Sequence, residues 1–207
     1  MFARIVFVEG ADHQVDEAIQ GFHDRIAPAA VARPGFAGVA LLLDRASARA
    51  ATVTYFEDRA SLEASADSAR QLREGISQQF GYRIAAVKEY EIVFAERAAA
   101  TAAGNCTRVV RAEGADATRL QAGVDLIRTR MAPIWRGQKG FVGGLVGINN
   151  EAGEALVASI WANRADLDAS EAAIASVRTE ISEASQPARP APAPEIYEVV
   201  AVLGVRG

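Results

Sequence analysis

Glu9-Gly10-Ala11-Asp12 and Glu113-Gly114-Ala115-Asp116 are the same four residues, 104 positions apart. Reading outward from them, Arg25-Ile26-Ala27-Pro28 returns as Arg130-Met131-Ala132-Pro133, and Gly35-Phe36 as Gly140-Phe141, both at an offset of 105. DRASLEAS, from Asp58 to Ser65, returns as NRADLDAS, from Asn163 to Ser170, and Tyr90-Glu91-Ile92-Val93 as Tyr197-Glu198-Val199-Val200. Five matches in the same order, with the offset drifting only from 104 to 107, mark an internal duplication. The chain of 207 residues is therefore read as two homologous domains, 1–95 and 106–207, joined by an alanine-rich linker over 96–105.

Either copy can be read through the other. Phe2 to Glu9 alternates as a strand, with Ile5 and Phe7 on one face and Val6 and Val8 on the other, so both faces are expected to be covered. Asp12 is placed to cap a helix carrying Val15, Ala18, Ile19, Phe22 and Ile26 at helical spacing, which Pro28 should end or kink. Phe36–Asp44 and Ala51–Phe56 read as two more strands. Asp58 caps a second helix with Leu62, Ala69, Leu72 and Ile76 on one stripe, and Val87 to Ala95 reads as the last strand. The order βαββαβ is the ferredoxin-like arrangement, four antiparallel strands with both helices on one face. The other face needs a cover, and the second copy can supply it. Surface scaling lets such docking hide roughly 1,900 Å², the upper end of a standard stable interface. The fold class expected is α+β: two tandem ferredoxin-like domains packed sheet to sheet as an intramolecular pseudo-dimeric α/β barrel.

Composition narrows the function. Net charge is −4, with 20 arginines and two lysines, so no basic excess favours nucleic acid. Cys106 is the only cysteine, and His13 and His23 are the only histidines, which leaves no metal-ligand spacing. No apolar run reaches the 18 residues of a membrane span and the opening lacks a secretory core, so a soluble, cytoplasmic protein is expected. Gly143-Gly144 lies within a strand pattern and reads as a bulge or a close backbone approach, not as a phosphate cradle. QPARPAPAPE, ahead of the last strand, reads as a stiff polyproline-like spacer.

This duplicated βαββαβ order, the Pro-Gly-Phe element at Pro34-Gly35-Phe36 and the run Ser159-Ile160-Trp161-Ala162-Asn163-Arg164-Ala165-Asp166-Leu167 resemble the antibiotic biosynthesis monooxygenase family of the dimeric α/β-barrel superfamily. The tandem chain looks like a fused form of that family's homodimer. The resemblance implies a ligand pocket between helices and sheet in each half. Some family members oxygenate aromatic polyketides there without metal or flavin, and others bind and degrade haem. The family's Trp at the end of the third strand is matched by Trp161 and replaced by Phe56 in the first copy. Its helix histidine, nine or ten residues on, reads Ser65 and Ser170.

The candidate site follows from these positions. Trp161, Asn163 and His23 are the candidate catalytic residues. Trp161 forms a pocket wall or core, Asn163 orients a substrate oxygen or caps the next helix, and His23 is a general base or an idle exposed side chain. Tyr90, Tyr197, Arg164, Phe56 and Trp135 are the candidate substrate-binding residues: tyrosine hydroxyls for a phenolic oxygen, an arginine for an enolate-like anion, aromatic rings for the walls. No cofactor and no metal are expected, and the expected partner is a hydrophobic or aromatic small molecule. Two functions remain at this point: a cofactor-independent monooxygenase-like enzyme, or a non-catalytic ligand-binding or scaffold protein. Since Trp161 and both histidines break the symmetry of the repeat, only one copy is expected to hold a competent cavity, the second.

Overall fold

The computed structural model describes residues 1–10, 15–185 and 193–204. Asp12, His13 and most of the proline-rich spacer lie outside the described residues. The first copy contains β1 (Phe2–Glu9), α1 (Val15–Gly21), α2 (Ala27–Val31), β2 (Phe36–Asp44), β3 (Arg49–Phe56), α3 (Arg59–Ala64), α4 (Ala66–Phe80) and β4 (Arg83–Arg97). The second contains β5 (Cys106–Glu113), α5 (Ala117–Leu126), α6 (Ala132–Gly137), β6 (Phe141–Asn149), β7 (Glu154–Trp161), α7 (Arg164–Ala169), α8 (Glu171–Ser185) and β8 (Glu195–Leu203). The hydrogen-bonded strand order is β1-β3-β2-β8-β5-β7-β6-β4, a closed barrel. The fold is thus the α+β, pseudo-dimeric α/β-barrel type that the repeat implied.

The compact units are not the two halves of the sequence. One comprises Met1–Glu89 with Tyr197–Arg206, the other Tyr90–Ile196. In the first unit β8 runs antiparallel to β2, Val39 opposite Leu203 and Leu43 opposite Glu198. In the second, β4 does the same to β6, Glu91 opposite Ile148 and Arg97 opposite Gly143. Because Leu43 matches Ile148 and Glu198 matches Glu91 in the repeat, these are one pairing made twice. β4 begins at Arg83, before the expected Val87, so Tyr90 sits mid-strand and not at a strand start.

Pro28 and Pro133 do not end their helices. Each follows a five-residue π-helical turn, Phe22–Ile26 or Ile127–Met131, and lies in the first turn of a helix that continues to Val31 or Gly137. The wider turn accommodates the residue that lacks an N–H, so the helix is re-phased and not broken. The second helix of each copy, expected to be continuous, is interrupted at Ser65 and Ser170.

Each unit has its own core. In the first, Phe22, Ala27, Ala30, Val39, Leu41 and Ala201 cluster beneath the π-helical turn. In the second, the Trp135 ring stacks on Phe141 with centroids 5.9 Å apart, and Phe141 meets Trp161 edge-on at 5.5 Å. Gly143-Gly144 combines both expected features. The β6–β7 register shifts between Phe141 and Gly143, a Cβ on Gly143 would lie 2.9 Å from the Glu96 carbonyl oxygen, and one on Gly144 would lie 2.6 Å from the Trp135 ring. The first copy carries Ala30 and Val39 at the positions of Trp135 and Gly144, so bulk lost on one element is regained on its neighbour.

Candidate functional site

β1 places Arg4 on the same face as Val6 and Val8, the face turned toward the helices. Arg4 is 4% exposed. Its Nε donates to Glu89 Oε1 at 2.7 Å, Nη1 to Ser65 Oγ at 2.6 Å and Nη2 to the Leu62 carbonyl at 2.8 Å. β5 repeats the device with Arg108, which donates to Ser170 Oγ at 3.2 Å and to the Leu167 carbonyl at 2.8 Å, and pairs with Glu171 at 3.1 Å. Both serine hydroxyls also donate to the carbonyl three residues earlier, Leu62 or Leu167. A buried guanidinium and the interruption of the helix therefore belong together: the serine between the two helical segments is the acceptor that the arginine needs. Burial pulls the Arg108 pKa down, against the attraction of Glu171.

Beyond these arginines each unit holds a cavity partly open to solvent. That of the first unit, about 100 Å³, is lined by Val6, Leu41, Leu72, Ile76 and Phe80 together with Arg4, Arg33, Arg73 and Tyr82. That of the second, about 450 Å³, is lined mainly by aliphatic side chains of β5–β7 and α5, and by Arg178, Thr179, Ser182 and Ser185 of α8. Only the second exceeds the lower bound of about 300 Å³ for ligand pockets. Arg178 is held by Glu171 through Nη2, while its Nη1 is buried with no hydrogen-bond partner. The hydrogen bond from Arg178 is the largest influence holding the Glu171 carboxyl below its ordinary value.

The residues picked from sequence do not converge on either cavity. Trp161 is fully buried core, its Nε1 donating to Ser159 Oγ at 3.0 Å. Asn163 is exposed and caps α7, accepting from the Asp166 N–H at 2.9 Å. His23 is exposed on the π-helical turn, against the edge of Phe22. Arg164 is exposed and paired with Asp168. Phe56 is fully buried under the Arg4 guanidinium, 5.8 Å from ring centroid to Cζ. Trp135 is buried, and its Nε1 has no partner among the described residues. Tyr90 is buried with its hydroxyl pushed well up, mainly by burial, and Tyr197 is 1% exposed; neither lines either of these two cavities.

The groups that do line the cavities are Arg4, Arg33 and Arg73 in one unit and Arg178 in the other. Three of them carried a signal in the repeat: Arg73 and Arg178 match at an offset of 105, and Arg4 matches Arg108 at 104 on strands otherwise apolar on that face. Among the described residues no three His, Cys, Asp or Glu side chains gather as a metal site. No helix of the described residues is long and apolar enough to cross a membrane. Haem does not fit this donor set, since the position of the family histidine is a serine already committed to an arginine and a carbonyl. Haemin titrated into the protein is expected to give no sharp Soret shift at submicromolar concentration. Such a shift would require an iron ligand outside these two cavities, His13 or His23.

No protein-family model and no curated protein matches the sequence. Solved structures do match, over nearly the full length. A candidate monooxygenase of Lactobacillus acidophilus NCFM superposes with a TM-score of 0.65 at 12% identity, covering 99% of this chain and 96% of that one. An anthrone oxidase-like protein gives 0.67 at 12%, covering 99% and 93%. A ferredoxin-fold protein related to antibiotic biosynthesis monooxygenases, from Listeria monocytogenes 4b F2365, gives 0.57 at 8%, covering 97% and 95%. At such identities the likeness is one of fold: this chain has the fold of monooxygenase-like ferredoxin-fold proteins.

Proposed function

We propose that the cavity of the second unit receives a hydrophobic, aromatic small molecule and that the protein oxygenates it without a cofactor. One observation carries the reading: a cavity of about 450 Å³ with aliphatic walls, into whose lining Arg178 brings a buried N–H with no partner. A cation so placed stabilises an enolate or phenolate better than it does the neutral ketone or phenol. Among the described residues the lining contains no carboxylate or histidine to remove a proton. The substrate class is therefore one that ionises readily by itself, an enolisable polycyclic ketone or a phenol. In the overall reaction a ring CH₂ and O₂ become C=O and H₂O. The alternative, binding without chemistry, is favoured by Asn163 serving as a helix cap and Trp161 as core.

An anthrone, the substrate type in the name of one structural neighbour, separates the two. At 100 times its dissociation constant it should add about 2.7 kcal/mol of stability, read as a thermal shift. Ala155→Phe, which fills the cavity, should abolish that shift. Arg178→Met should lower oxygenation at least 100-fold while the thermal shift persists. A shift without any quinone product would support the binding reading. No shift with wild-type protein would remove the proposed substrate class.

A further inference from the structure

The first unit's cavity differs from the second in charge as well as size. Arg73 corresponds to Arg178, but the counterpart of Glu171 is Ala66, so the carboxylate that pairs with Arg178 has no equivalent there. Arg33, the counterpart of Gln138, adds a further guanidinium to the same lining. Arg4 is fully engaged by Glu89, Ser65 and Leu62. Arg33 and Arg73 make no hydrogen bond or ion pair among the described residues, and Arg73 Nη1 is buried without a partner, as is the Tyr82 hydroxyl. Burial and then repulsion from Arg4 pull the pKa of both arginines down, with Glu89 and Glu74 attracting Arg73 only in part. Arg33 and Arg73 are half-buried, and half-buried positive charge with no paired carboxylate still costs free energy. The second copy meets that cost with Glu171, whereas the first leaves the place open beside a small apolar chamber.

We propose that this cavity is a binding site for a short-chain apolar monocarboxylate, its carboxylate held by Arg33 and Arg73 and its hydrocarbon body enclosed by Val6, Leu41, Leu72 and Ile76. An arginine pair suits a planar carboxylate, which accepts two parallel N–H bonds. The Tyr82 hydroxyl supplies a further donor. The volume limits the body. A dry apolar cavity of about 150 Å³ takes benzene, so about 100 Å³ suits a branched chain of three or four carbons and not an aromatic polycycle. The site is separate from the second unit's cavity and stands or falls independently of the oxygenation proposed there.

Isovalerate is the probe, isovaleramide its uncharged isostere and inorganic phosphate the anion without a hydrocarbon body, each titrated calorimetrically into the full chain. Isovalerate should bind with millimolar affinity or better, and the amide and phosphate at least tenfold more weakly. Arg73→Met and Arg33→Met should each lose at least tenfold. The decisive variant is Ala66→Glu, which installs the second copy's counter-ion at the first residue of α4, where an acid suits the helix. It should raise the melting temperature slightly or leave it unchanged, and abolish isovalerate binding. No isovalerate binding to wild type, equal binding of the amide or phosphate, or binding unaffected by Ala66→Glu would each overturn the proposal.

Discussion

Trp161→Ala is expected to lower stability by about 3–5 kcal/mol, a fall in melting temperature of roughly 6–20 °C for a chain of this size. The indole is fully buried, meets Phe141 edge-on, donates to Ser159 and pairs in the ladder with Cys106 and Phe141. Truncation leaves a void that surrounding side chains cannot all fill and strands the Ser159 hydroxyl. Trp161→Phe installs the residue that the first copy carries at Phe56 and should cost under about 2 kcal/mol. Neither change should weaken a ligand of the second unit's cavity, which Trp161 does not line. A loss below about 1 kcal/mol for the alanine variant, in thermal or urea melts, would contradict the core assignment.

Residues 1–95 expressed alone should not remain monomeric. Removing the second copy strips β8 from β2 and exposes the backbone of Val39–Leu43, an apolar run at a sheet edge. It also removes Ala201 and Val200 from the core built on Phe22 and Leu41. The fragment still carries Glu91–Ala95 of β4, most of the segment that pairs with β6 in the intact chain. Since that pairing is the β2–β8 pairing in the other copy, two fragments can each complete the other. A dimer by light scattering is the expected result, with aggregation at high concentration; a stable monomer would contradict the strand pairing described above.

The repeat, the strands and the turn from β3 into α3 were legible because alternation, capping and self-similarity are local signals. Asp58 and Asn163 show this: an acid or amide before an apolar-striped run means a cap, and both accept from the N–H three residues on. The site was far less legible. Which aromatic side chain faces a cavity and which fills core depends on how helices lie over a sheet, and periodicity does not report that. Trp161 and Arg4 were equally visible as residues. The tryptophan drew attention as a pocket wall and proved to be packing, whereas the arginine, hidden in an apolar strand, organises the space between helix and sheet. Pro28 misled for a related reason: a proline forbids one hydrogen bond, and a π-helical turn is another way to do without it.

The assignment of Tyr197–Arg206 to the same compact unit as Met1–Glu89 has a consequence for how the chain is made. A protein emerging from the ribosome meets its own parts in order, and the first unit lacks one strand until the segment from Tyr197 onward has been made. At about 5–20 residues per second, the interval between Glu89 and Tyr197 takes roughly 5–20 seconds. Through that interval β2 presents an unpaired apolar edge, while the second unit, continuous from Tyr90 to Ile196, can close first. The unit made later is therefore the first to be complete, and the unit made first waits with an apolar strand edge open.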